Sequence, residues 1–489
     1  MGGLSKKAYQ LEKIRGLHEL PYLTLDGGNL LFKQERLSPG LLRQAKIAAE
    51  GIVDSYNLMG YDAVAVGRYD LAAGLSFLQE QAAGSKFTWL SANLVNKSDE
   101  KPLFSPSVIQ KAGNLSVGII GLTEYDGSLR SLENDAAVLL PWQKVLPELV
   151  ADLEAKCDLI ILLSNNNPKQ NEEIAESFSN IHIIIQSTPH SRNIAPQLKN
   201  NSLLAKTGKQ GKYLGWMLVS WYKSKTWGRA GAVKDLALKK QELDGIIGRI
   251  SRIERRENEE ELAKNSSYQK LVSTRERLLS EIIFLENELY DLREEGQAPS
   301  TFENQFVALD INLPDQPDVE KIVSAVKQKV NQEGRNQAAV TSQTSSGSEL
   351  MTEELVFAGW LVCAECHKAQ TEFWQRTDHA SAYQSLVGQD QQFNLDCLPC
   401  HVTAEYKEIK ISDDETALLS LPTKLQQIGC EVCHGPGKNH AASLEASAIS
   451  RKPDIAICLR CHTSERDEKF NFDNDIEKIA CPAGRRSNE

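Results

Sequence analysis

The chain has 489 residues with Lys+Arg 55 against Asp+Glu 66, a formal net charge of −11. That length accommodates two or three domains. The acidic balance disfavours nucleic acid and anionic membranes as partners, and no apolar run approaches the ~20 residues of a membrane-spanning helix.

From about Ser38 to Gln186 helical and strand-like stretches alternate. Residues Leu41 to Tyr56 predict an amphipathic helix, and Asp62 to Val66 a strand; Leu71 to Gln81 is helical again. The apolar runs Phe87 to Ser91, Ser116 to Ile120, Asp158 to Leu163 and Ile181 to Ile185 predict short buried strands, with a helix over Trp142 to Lys156. This pattern is an α/β sandwich with a mostly buried sheet. Tyr213 to Tyr222 and Phe306 to Ile311 are further strand candidates. Between them, Leu236, Leu243, Ile246, Ile250 and Ile253, then Leu271, Leu278, Ile282, Leu285, Leu289 and Leu292, step at heptad-like spacing with charges in the gaps. Two antiparallel coiled-coil helices, turning near Asn265-Ser266-Ser267, account for this. Such a hairpin serves either as a plain structural arm or as a docking surface.

Residues Asn336 to Glu349 are rich in Gln, Ser, Thr and Ala without apolar periodicity and predict a flexible linker. The expected division is therefore 1–232 with 299–333 for the sandwich, 233–298 for the hairpin insertion, 334–354 for the linker, and 355–489 for the remainder.

That remainder spells Cys-x-x-Cys-His four times: Cys363/Cys366/His367, Cys397/Cys400/His401, Cys430/Cys433/His434 and Cys458/Cys461/His462. This is the attachment pattern of c-type haem. The spacing sets both thiols on one side of a helical turn, where they can bond the two vinyl groups of one porphyrin. The following histidine sits below the iron as its proximal ligand. Zinc ribbons also use CxxC pairs, but they do not need a histidine after every second cysteine. Four covalently bound haem c groups are expected. With few long apolar runs around them, the porphyrins are expected to form the core of this segment. Such attachment takes place outside the cytoplasmic membrane, so a periplasmic or outer-surface location follows. The opening Met1-Gly2-Gly3-Leu4-Ser5-Lys6-Lys7 does not read as a signal peptide; either an export signal has been removed or this start is not the natural one. A basic redox partner, another cytochrome, or a metal-oxide surface suits the acidic charge.

The blocks Leu25-Asp-Gly-Gly-Asn-Leu-Leu-Phe32, Met59-Gly-Tyr-Asp-Ala-Val-Ala-Val-Gly67, Leu90-Ser-Ala-Asn-Leu94 and Val117-Gly-Ile-Ile-Gly-Leu-Thr123 resemble the periplasmic 5′-nucleotidase branch of the calcineurin-like metallophosphatases. The resemblance covers roughly residues 1–220 and implies a four-layer α/β/β/α fold with two metal ions that activate water against a phosphate ester. The sequence departs from that family at the chemistry. Asn29 stands where the family has its bridging aspartate. The Gly-Asn-His-Glu block reads Gly67-Arg68-Tyr69-Asp70, the Ser-His block reads Ser164-Asn165, and Gln186-Ser-Thr-Pro-His190 keeps little of Gly-His-x-His. The family's opening Asp-x-His strand has no counterpart here. An inactive phosphatase-like domain is expected, with no catalytic residue and with Arg68 in the vacated metal region, holding the fold electrostatically or binding an anion.

The blocks Glu372-Phe-Trp-Gln-Arg-Thr-Asp-His-Ala380, Cys397-Leu-Pro-Cys-His-Val402 and Cys430-Glu-Val-Cys-His-Gly-Pro-Gly437 resemble the tetrahaem cytochromes that accept electrons from hydroxylamine oxidoreductase, over about residues 357–475. The resemblance implies haems in near-contact pairs and mostly bis-histidine irons. The segment holds two histidines outside its motifs, His379 and His440, and both are expected as distal ligands. Up to two irons then lack an obvious sixth ligand. The candidates are an open site, Cys481, a histidine of the first domain (His18, His182 or His190), or one from a neighbouring subunit. His190, in a loop, is a better candidate than His182, which sits in a strand pattern. Cys157 reads as core and Cys481 as a free thiol. Three functions follow: electron transfer in respiratory or extracellular traffic, singly or within a larger assembly; a redox enzyme acting on a small nitrogen or sulfur species at an open iron; or a phosphoesterase with an attached redox module, which the missing ligands disfavour.

Overall fold

Alternation of side chains along a strand sorts each apolar run onto two faces, and here the two faces meet different layers. The computed structural model describes the chain apart from residues 1–2, 125–136, 188–192, 209–210, 223, 228–231, 255–256, 258–260, 263–264, 295–298, 345–355, 405–414, 464–465, 468 and 483–489. Strands β1 (Leu25–Asp26), β2 (Ala63–Ala65) and β3 (Thr88–Leu90) form a parallel sheet in that order. β4 (Leu94–Asn96) pairs antiparallel with β7 (Ala137–Leu139). β5 (Ser107–Ala112), β6 (Leu115–Leu122), β8 (Leu159–Ser164), β9 (Ile183–Gln186), β10 (Ile194–Lys199) and β11 (Ser202–Lys206) form a mixed sheet, ordered β10-β11-β9-β8-β6-β5.

Ala63, Ala65 and Leu90 of the first sheet pack on Val117, Ile119, Leu159, Ile161 and Leu163 of the second. The intervening Ile120, Leu122, Ile160 and Leu162 face the other way, onto Trp142, Leu146, Val150 and Ile174 of helices over Trp142–Glu154 and Pro168–Ser177. On the far side of the first sheet, Val64 and Val66 meet α1 (Gly3–His18), α2 (Pro39–Met59) and α3 (Leu75–Gly84) through Leu11, Val53, Tyr56 and Leu78. Helix, sheet, sheet and helix thus stack as four layers around three apolar seams, as expected.

β12 (Tyr213–Ser220) and β13 (Thr301–Ala308) pair antiparallel, and the segment between them leaves the sheet. It carries helices over Ala232–Glu254 and Ser266–Glu294, packed through Ile246, Ile250 and Leu278 with Leu243 and Leu271. Tyr268 reaches Glu254, and Lys240 reaches Glu286, so the two helices run antiparallel. Asn265 caps the second by accepting from the N–H groups of Ser267 and Tyr268, both at 3.0 Å.

A long helix, Pro317–Thr344, follows β13. Its start is secured by Gln316, whose side chain accepts from the N–H groups of Asp318 and Val319. The expectation of a flexible linker from residue 334 is corrected here: the helix runs through it to Thr344. Polar composition concealed packing. Asn331, Gln337 and Ala338 are buried against α2 and the C-terminal segment. Gln44 of α2 bonds the Phe393 carbonyl and the Leu395 N–H, each at 3.0 Å, and Asn331 accepts from the Phe393 N–H at 2.8 Å. A small apolar cluster of Leu386, Leu395, Leu398, Val402 and Leu419 supports this seam. The C-terminal segment is helical in short pieces.

Candidate functional site

Each Cys-x-x-Cys-His element sits on a single turn. Cys363 and Cys366 close the helix Trp360–Cys366, and the His367 N–H bonds the Cys363 carbonyl at 2.9 Å. Cys397 precedes a 3₁₀ turn ending at Cys400; Cys430–His434 is one helical turn; Cys458 ends Ile455–Cys458, with the His462 N–H on the Cys458 carbonyl at 2.9 Å. Local geometry therefore presents two thiols and an imidazole together each time. Elements distant in sequence also meet. The Cys363 thiol is hydrogen-bonded to Cys430, which lowers the pKa of Cys363 and raises that of Cys430. Cys461 is raised by its contact with Cys400. Burial pushes Cys433 up to about 11.

The two histidines outside the motifs each face a motif histidine. The rings of His367 and His440 lie 6.2 Å apart between centroids, and those of His379 and His462 lie 6.0 Å apart. Metal–nitrogen bonds of about 2.0 Å on both sides of one ion, plus two ring radii of roughly 1.1 Å, separate coaxial imidazoles by about 6 Å. Both separations match that spacing, so each pair of residues could hold an iron. Burial, and then the nearby His462, lower the basicity of His379, which favours the neutral ring that a metal requires. Among the described residues of the C-terminal segment, four rings have a defined contact at Nδ1: His401 to the Ala382 carbonyl (2.7 Å), His434 to the Ser450 carbonyl (2.7 Å), His440 to the Glu445 carbonyl (2.9 Å), and His462 to the Asp467 carboxylate (2.8 Å). A hydrogen on Nδ1 in each of these contacts would leave Nε2 free to hold an iron. Among the described residues, the ring contacts pair neither His401 nor His434 with a second imidazole. His190 lies outside the described residues. His182 is buried in its strand pattern with Nδ1 accepting from the Ile160 N–H at 2.9 Å, as a core residue does, and the His18 ring lies 5.0 Å from that of Trp216, tilted by 44°. Cys157 is buried and Cys481 exposed.

One residue missed by sequence reasoning organises this segment. Glu431, a spacer of the third motif, is buried and accepts from three backbone N–H groups: Ala358 (2.8 Å), Gly359 (2.8 Å) and Gly437 (2.7 Å). It ties the approach to the first motif to the Gly-Pro-Gly loop after the third. The signal was a charge at a position that attachment leaves unconstrained.

In the four-layer domain the corresponding pocket is built differently. Asp70 is fully buried. Its Oδ1 accepts from the Leu30 and Leu31 N–H groups (2.7 and 2.8 Å), and its Oδ2 from Asn29 and Gly67 (2.9 and 2.8 Å). Burial pushes its carboxyl up to about 7 while those bonds pull it down. Asn29, at φ 57, accepts from the Tyr69 N–H at 3.0 Å. Asn165 donates to the Gly27 carbonyl at 2.7 Å, while its Oδ1 is buried without a partner in the protein. Both amide oxygens crowd Gly67, where a Cβ would fall 2.2 Å from Asn29 Oδ1 and 2.5 Å from Asn165 Oδ1. Arg68 Nη2 lies 3.2 Å from Glu35. A carboxylate fully engaged by N–H groups, two carboxamides and a guanidinium do not fit a pair of divalent cations.

Different known proteins are similar to the two parts of the chain. Residues 362–435 match the family model described as cytochrome c554 and c-prime. The C-terminal part is similar to cytochrome c-554 of Nitrosomonas europaea, 32% identical over 151 residues, which is 28% of this chain and 62% of that protein. The N-terminal part is similar to the protein UshA of Salmonella pullorum, 36% identical over 100 residues, 20% of this chain and 18% of the relative. A solved sulfate thiohydrolase SoxB from Thermus thermophilus aligns with TM-score 0.46 and 15% identity, over 66% of this chain and 46% of that one. The chain thus spans less than two thirds of the length of each. Its C-terminal part resembles a covalent haem electron-transfer domain, and its N-terminal part the nucleotidase-like metallophosphoesterases.

Proposed function

We propose that the chain is an exported electron carrier with four covalent haem c groups, working in respiratory or extracellular electron transfer beside a phosphatase-like domain that no longer hydrolyses esters. The observation that carries this reading is the pairing of His367 with His440 and His379 with His462 at 6.2 and 6.0 Å. Each haem, when bound, supplies an iron that accepts and releases one electron. Cys363/Cys366, Cys397/Cys400, Cys430/Cys433 and Cys458/Cys461 would anchor the four groups; His367, His401, His434 and His462 would be proximal ligands, with His440 and His379 distal on the first and fourth. Contacts between Cys363 and Cys430, and between Cys400 and Cys461, bring anchors of different groups together and support exchange between them. His401 and His434, without a facing imidazole among the described residues, favour a second reading in which an open iron binds a small nitrogen or sulfur species. His190 remains a candidate for one of these positions.

The four-layer domain serves as scaffold: its amides hold the 390–395 loop, and among the described residues its pocket sets an N–H-engaged Asp70, the carboxamides Asn29 and Asn165 and Arg68 where two-metal hydrolysis needs ligands. The paired helices of 233–298 form a coiled-coil arm suited to docking another cytochrome or a further copy of the chain. The acidic surface suits a basic redox partner, and covalent haem attachment, which takes place outside the cytoplasmic membrane, supports location in the periplasm or on the outer surface.

Mass spectrometry of protein matured in an exporting host tests the haem count, and visible and electron paramagnetic spectra test ligation. Four haem masses with at least two low-spin irons are expected. Zinc at the thiols, or two non-haem metals with phosphatase turnover, refutes the proposal. Carbon monoxide binding to the reduced protein decides for open irons; wholly six-coordinate spectra decide for transfer alone.

A further inference from the structure

We propose that Asp467 is a positioning residue that lowers the reduction potential of one iron, the one held at His462, and so makes the four centres unequal. This rests on the reading of His462 as an axial ligand. Among the described histidines of the C-terminal segment with a defined Nδ1 contact, His401, His434 and His440 meet neutral backbone carbonyls and only His462 meets a carboxylate, at 2.8 Å. A neutral carbonyl fixes ring orientation and tautomer. A carboxylate does this and also draws the Nδ1 proton toward itself, making Nε2 a stronger electron donor. The ferric state carries one more positive charge than the ferrous state, so that donation stabilises it more and the iron becomes harder to reduce.

The surroundings preserve the charge. Asp467 is held in place by its own N–H on the Thr463 carbonyl at 2.8 Å, one turn beyond the motif. Arg466 bonds Cys400 Sγ (3.4 Å) and the Asp396 carbonyl (3.3 Å); Lys478 pairs with Asp475 at 2.6 Å while also feeling the Asp467 charge, and Asp475 in turn feels His462. The Phe470 ring lies against His462, 4.6 Å between centroids and 19° from parallel, covering the imidazole beside the contact. His379 faces the other side. The Asp467 and His462 side chains are 41% and 34% exposed, so water screens the pair only in part.

Redox titration of the full-length haem-loaded protein, followed by visible absorbance, is the test. Asp467→Asn keeps an acceptor oxygen and removes the charge. It is expected to raise one midpoint so that, at the wild-type midpoint, the ratio of reduced to oxidised iron rises at least tenfold, equal to about 59 mV for one electron. The other three midpoints stay put. Asp467→Glu keeps the low value, and Asp473→Asn, which removes a nearby exposed charge, leaves all four unchanged. Four unaltered midpoints in Asp467→Asn, or a uniform shift of all four, overturn the proposal. Haem count and the low-spin band separate the two failures: a wild-type protein without low-spin haem at His462 sinks the ligand reading, whereas a fully loaded variant with unshifted midpoints sinks only the role of Asp467.

Discussion

Gly334→Ala tests the joint between the two halves of the chain. In an isolated helix the substitution stabilises by about 1 kcal/mol, because alanine restricts the unfolded backbone and favours helix. At this position a Cβ would fall 2.0 Å from the Phe393 carbonyl oxygen and 2.7 Å from Gln44 Nε2. The obstacle is backbone, so the 390–395 loop must move away. Three hydrogen bonds are then at risk: Gln44 to the Phe393 carbonyl, the Leu395 N–H to Gln44, and the Phe393 N–H to Asn331. Each contributes about 0.5–1.5 kcal/mol when formed and costs about 1–3 kcal/mol if a buried partner is stranded. Water reaching the separated surfaces relieves part of that. The net expectation is a loss of about 2–4 kcal/mol, opposite in sign to the helix propensity. Guanidinium unfolding of the haem-loaded protein, followed by circular dichroism and by the Soret band, reads it. The variant should unfold at lower denaturant, with the two signals separating as the halves uncouple. Coincident transitions at a higher midpoint than wild type would show that the seam is not closed over Gly334 and would refute the reasoning.

Glu431→Ala strands three buried N–H groups and should cost roughly 3–5 kcal/mol, read as a lower unfolding midpoint; a change under about 0.5 kcal/mol contradicts the clamp. Asp70→Asn offers one acceptor oxygen to four N–H groups and should destabilise the four-layer domain by about 2–4 kcal/mol, measured by circular dichroism. His182 has its pKa lowered to about 4 from 6.5 by burial and then by Lys225. The unfolded chain therefore takes up the proton first, and stability falls by about 3 kcal/mol as pH drops from 6.5 to about 4. Urea midpoints across that window should flatten in His182→Asn, and an unchanged slope would assign the acid sensitivity elsewhere.

Haem attachment was legible from residues alone because its chemistry is local. Two thiols and an imidazole within five positions meet on one turn whatever surrounds them. The α/β sandwich was legible too, since continuous apolar runs such as 159–163 must bury both faces; the four layers were implied only by the resemblance to the metallophosphatases. The substitutions at Asn29, Arg68, Tyr69 and Asn165 could likewise be read directly. Tertiary structure decided what depends on distant groups. It chose which histidine faces which, because His440 reaches His367 and His379 reaches His462 only once the short helices have packed. It turned residues 334–344 from apparent linker into helix, because burial of Asn331, Gln337 and Ala338 outweighs a weak local preference. It also revealed Glu431 as a clamp and Asp467 as a partner of His462. A carboxylate's role is set by the donors folded around it, and one-dimensional spacing does not record them.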